Sequence, residues 1–86
     1  MELEKIDELL EKSTGTDFIQ AERQARLLGD STPSIVFSVK FQAILLANLL
    51  GVPVEDIEDL PMQKFVTAIG KVNAFLFGQA AAVAEK

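Results

Sequence analysis

Ten residues near the middle of the chain, FQAILLANLL from Phe41 to Leu50, would be apolar on almost every side of a helix, with Gln42 and Asn48 as the polar exceptions. A helix of that kind has to be enclosed by several neighbours. A chain of 86 residues has room for one core. The expected architecture is therefore all-α, a small single-domain bundle of about four to five helices with this apolar helix at its centre.

Turn-forming residues divide the rest of the chain at Thr14-Gly15, Gly29 to Pro33, Gly51 to Pro53, Leu60-Pro61 and Gly78. Glu2 to Lys12 places Leu3, Ile6, Leu9 and Leu10 at helical spacing among acids and lysines, which predicts an amphipathic helix within residues 1–13. A core over residues 14–78 and a frayed tail over 79–86 are expected to follow. Thr14 stands three residues before Asp17, close to a capping box, and opens a second helix that should end near Leu28 with Gly29 as its stop. Phe18, Ala21, Ala25 and Leu28 make its inner face, leaving Gln20, Glu22, Arg23 and Arg26 in water.

SIVFSVKF alternates as a strand would, but nothing else in the chain offers it a pairing partner. Thr32-Pro33 reads as a cap followed by a first-turn proline, so the helix is expected from about Ser34 to Leu50, with Ser38 as the alternative start. Gly51 ends it, and Pro53 suits a short helix carrying Glu55 and Asp56 near its positive end. Pro61 then opens the last long helix. There Phe65, Ile69, Val72 and Leu76 form an apolar stripe, joined by Met62, Val66 and Phe75, before Gly78. Gly70 inside it costs about 1 kcal/mol relative to Ala unless another backbone packs closely against it.

Thirteen acidic against eight basic residues leave a formal charge of −5, which attracts neither nucleic acid nor anionic lipid. The apolar run from Ile35 is interrupted by Ser38, Lys40, Gln42 and Asn48 and falls short of the ~20 residues a bilayer crossing needs. No membrane span is expected, and the start MELEKIDELL, without a basic and then apolar leader, reads as the beginning of the mature chain. Cysteine, histidine, tyrosine and tryptophan are absent, which removes disulfides, thiolate metal ligands and the usual base for activating a serine. Neither catalysis nor a cofactor is expected. The five glycines are isolated and form no phosphate-binding loop.

Ala47, Gly51 and Ile57 occupy the small, turn and apolar positions of a helix-turn-helix. A recognition helix gains affinity when Lys or Arg neutralises phosphates, whereas this one carries Glu55, Asp56, Glu58 and Asp59. Those four carboxylates lack the alternating ligands and glycine of a calcium loop. The simplest reading is a solvated acidic turn, with no bound metal and no nucleic acid.

Two stretches, STGTDFIQAERQARLLGD and FQAILLANLLGVPVEDIEDLPMQKFVTAIGKVNAFLFG, together resemble the tail assembly chaperones of long-tailed bacteriophages and prophages. The likeness lies in a Thr-Gly-x-Asp-hydrophobic start, an Ala-Glu helix, a Phe-Gln helix, a Gly-Val-Pro turn, an acidic patch, a Leu-Pro and a Val-x-x-Phe-Leu helix. It covers about Ser13 to Gly78. Relatives often carry an extended segment before the Thr-Gly, where this chain has one short predicted helix. The resemblance implies a non-catalytic chaperone in the host bacterial cytoplasm that keeps the long, apolar tape-measure protein soluble while tail-tube protein assembles around it. It also implies that the chaperone is not retained in the mature virion.

The residues agree with a binding role, because 49% hydrophobic composition is more than a small lone domain readily hides. Phe75, Leu76 and Phe77 are consecutive and cannot all face one core stripe, so they and Val83 are the candidate partner-binding residues, with Phe77 expected to be the most exposed aromatic. Folding of Phe77 back onto the domain or a sister subunit is the competing expectation, and a homo-oligomer is a further one. Phe41, Ile44, Leu45, Phe65 and Ile69 are expected to be core. Alternatives from other functional classes are a small helix-turn-helix DNA-binding regulator and a helical structural component of the virion.

Overall fold

The computed structural model describes residues 3–84, with side chains described through residue 78. Five α-helices make up the domain: α1 (Ile6–Lys12), α2 (Gly15–Leu27), α3 (Val39–Leu50), α4 (Val54–Glu58) and α5 (Met62–Ala84). Among the described residues there is no strand. Helix α3 is the hub, packing against α1, α2, α4 and α5. Every residue from Phe41 to Ala47 is buried, including Gln42, whose Nε2 donates to the Val36 carbonyl at 2.7 Å. The expected central apolar helix is therefore present, and its surroundings are Ile6 and Leu10 of α1, Ala21 and Ala25 of α2, Ile57 of α4, and Ala68, Ile69 and Val72 of α5.

Local chemistry explains most boundaries. Asp17 Oδ2 accepts the Thr14 N–H at 2.8 Å, which satisfies one orphan donor at the start of α2. Helices α2 and α3 both end in Schellman turns around a left-handed glycine, Gly29 (φ 97°) and Gly51 (φ 73°). The Asp30 N–H reaches the Ala25 carbonyl, and the Val52 N–H reaches the Ala47 carbonyl, each at 3.0 Å. Pro53 and Pro61 sit just before α4 and α5, where a missing N–H costs nothing.

Several expectations need correction. The first helix is a short 3-10 turn, Leu3–Lys5, leading into α1. The helix expected from Ser34 instead begins at Val39, after a separate 3-10 turn over Ile35–Phe37, so Ser38 is the true start. The reason is that the Ser38 hydroxyl is already engaged. It accepts the Phe41 N–H at 3.1 Å as the cap of α3 and donates to the Asp30 carboxylate. Asp30 also accepts the Thr32 N–H at 2.9 Å, and the Arg26 guanidinium donates to the Asp30 and Thr32 carbonyls at 3.1 and 2.6 Å. Arg26, expected in water, is thus half-buried and ties the α2–α3 link together.

Leu28, expected inside, is 64% exposed, because the Schellman turn rotates it off the inner face. Met62 and Val66, expected to join the buried stripe of α5, are 80% and 60% exposed. Helix α5 passes through Gly78 and continues to Ala84, so Gly78 is not its stop. The QAAAVA sequence that follows has high helix propensity and carries the helix on. Among the described residues, no atom beyond Gly70's own stretch of helix lies within 4 Å of where a Cβ there would stand.

Candidate partner-binding surface

Short helices meeting a longer one leave a seam at their ends, and here α1 and α2 join at Ser13 and Thr14 directly beside α5. The result is an open groove of about 490 Å³. Phe18, Leu45, Phe75 and Leu76 supply its apolar lining, and Glu11, Ser13, Thr14 and Gly15 its polar rim. Phe18 also packs its ring on Phe41, with centroids 4.8 Å apart, which anchors the groove to the buried core. The Ser13 hydroxyl donates to the Leu10 carbonyl and so serves the end of α1. What such a groove can do is accept apolar side chains, with the rim hydroxyls and Glu11 marking its margin.

The structure divides the predicted contact residues. Phe75 and Leu76 are half-buried and line this groove. Phe77, one residue further round α5, turns away from it and lies against Phe37, with ring centroids 5.1 Å apart and planes tilted by 40°. The expectation that Phe77 would be the most exposed aromatic is corrected: it is half-buried, and Phe37 is the exposed ring at 65%. Folding back, the competing expectation, describes Phe77 better. Val83 lies outside the residues whose side chains are described.

Phe18 and Leu45, which spacing places inside, also line the groove; both pack in or against the core with one edge at the seam. No periodicity marks such a position, because the seam exists only where three helices meet. Phe37 was hidden in the alternating SIVFSVKF stretch, where its outward turn depends on the short 3-10 turn and not on helical spacing.

At the α3–α4 corner the small, turn and apolar positions behave as the pattern implies, with Ala47 and Ile57 buried around Gly51. Helix α4 is only five residues long, and Glu55, Asp56, Glu58 and Asp59 are all exposed on or beside it. Glu58 pairs with Lys40 across the corner at 2.6 Å. Beside it Leu60, Met62 and Phe65 line a second shallow apolar depression. Among the described residues no cluster of acids is arranged to hold a metal ion, and no helix is long and apolar enough to cross a membrane. Comparison of this chain with protein-family models, with curated proteins and with solved structures finds no match.

Proposed function

We propose that this chain is a non-catalytic binding domain that acts as a phage or prophage tail assembly chaperone, covering apolar helical segments of a tape-measure protein in the host cytoplasm until tail-tube subunits assemble. The observation that supports this reading is the groove between the α1–α2 junction and α5, whose apolar lining includes Phe75 and Leu76 of the resembling Val-x-x-Phe-Leu helix. A client side chain entering it gains about 25 cal/mol for each Å² of apolar surface removed from water. The chain's formal net charge of −5 keeps the loaded complex dispersed. No nucleotide is consumed in such a cycle, because burial alone drives capture.

Co-expression with a tape-measure protein of a long-tailed phage tests the proposal. The client stays soluble and co-purifies if the reading is right, and an insoluble client with no complex overturns it. Gly15 provides the control for the groove itself. It lies on the rim, opens α2 with φ outside the left-handed region, and has open space at its Cβ position. Gly15→Phe should therefore fold normally, as read by circular dichroism, while occupying the groove and abolishing client capture. Undiminished capture by that variant would remove the groove from the mechanism.

A further inference from the structure

Among the described residues, nothing covers the outer face of helix α5. Its exposed described positions are Met62, Gln63, Lys64, Val66, Thr67, Gly70, Asn73, Ala74 and Gly78, and Lys64 is the one charged residue among them. Lys64 stands at the edge, leaving Met62, Val66, Gly70 and Asn73 on one flank at spacings of four, four and three. A solvated helix face normally carries charge. A face without it, about 24 Å long from Met62 to Gly78, is out of character in a chain with 24% charged residues.

Gly70 lies at its centre. Its φ is not left-handed, and among the described residues no atom beyond its own stretch of helix lies within 4 Å of where a Cβ would stand. The helix therefore carries the cost of a glycine without an internal benefit. Another helix crossing at that point would supply one.

We infer that this strip pairs with the same strip of a second copy, the two α5 helices crossing antiparallel with Gly70 against Gly70. The pattern is self-complementary about that point. Met62 comes opposite Gly78 of the second copy and Val66 opposite Ala74, a large residue against a small one each time, while Thr67 meets Asn73 with hydrogen-bonding groups on both sides. Two-fold symmetry requires this kind of matching.

Charge selects the occupant and the direction. Each copy carries −5, so like molecules repel over most of their surface and meet most readily where neither is charged. The acids of α4 stand at the N-terminal end of the strip, beside Leu60 and Met62. Parallel pairing would bring the two acidic clusters together. Antiparallel pairing puts them at opposite ends, separated by more than a Debye length of about 8 Å. One helix width, about 10 Å, by that length is less than the ~800 Å² per partner of a standard interface. Dimerisation should accordingly rise with concentration and not be permanent.

This inference is independent of the client groove, which lies elsewhere on the domain. Sedimentation velocity of the full chain over a concentration series should show monomer passing to dimer. Gly70→Glu places two carboxylates across the axis and should weaken the dimer by about tenfold or more, while circular dichroism shows unchanged or greater thermal stability, because Glu is the better helix former. Gly70→Lys should do the same. Mixing the two variants should restore association, since residue 70 faces itself. A chain that stays monomeric throughout overturns the inference, as does a dimer indifferent to Gly70→Glu.

Discussion

Single residues hold the link between α2 and α3. The Asp30 carboxyl is held down to about 2, first by the Ser38 hydroxyl, then by the hydroxyl and N–H of Thr32, with Arg26 adding a smaller attraction. Because the folded form binds its proton less readily than the unfolded chain, this contact stabilises the fold fully above the ordinary carboxylate range near pH 4 and fades as pH falls toward 2. Acid unfolding followed by circular dichroism should therefore show stability falling across that window, and Asp30→Asn should lose stability at neutral pH while flattening the fall. Ser38→Ala removes the cap of α3 and should cost about 1 kcal/mol, within the 0.5 to 2 typical of such caps, in a urea titration. The cap was legible as the alternative start. The Asp30 tie was not, because donor and acceptor stand eight positions apart along the link and no local pattern announces their meeting.

At the scale of the element, α5 departs most from what periodicity implies. Its stripe of Ile69 and Val72 is buried as spacing requires, with Phe65, Phe75 and Leu76 half-buried around it, but Met62 and Val66 sit on the shoulder where the neighbouring helices end. A helical pattern tells which residues share a face; the width of that face depends on how many neighbours reach it. Gly70→Ala meets open space and should stabilise the folded domain by about 0.5 to 1 kcal/mol, measured by denaturant melts at dilution. No gain would mean that something outside this chain's own packing holds that glycine in place.

For the molecule as a whole, α3 carries the packing. Leu46 is fully buried in the helix that all the others touch, so Leu46→Ala should cost about 2 to 5 kcal/mol. That is a large share of a small domain's stability, and thermal melting should show it as a loss of tens of degrees or as failure to fold. The sequence by itself determined that the protein is an all-α bundle with Phe41 to Leu50 at its centre, that α2 and α3 stop at Gly29 and Gly51, and that one corner is acidic, because propensity, turn chemistry and apolar spacing are local properties read along a single segment. Tertiary structure decided which apolar residues remain outside. Phe75 and Leu76 became the wall of a groove while Phe77 folded onto Phe37, and Met62 and Val66 were left in solvent. Those assignments depend on how far each short helix extends over its neighbours, a balance among packed surfaces that no single segment encodes.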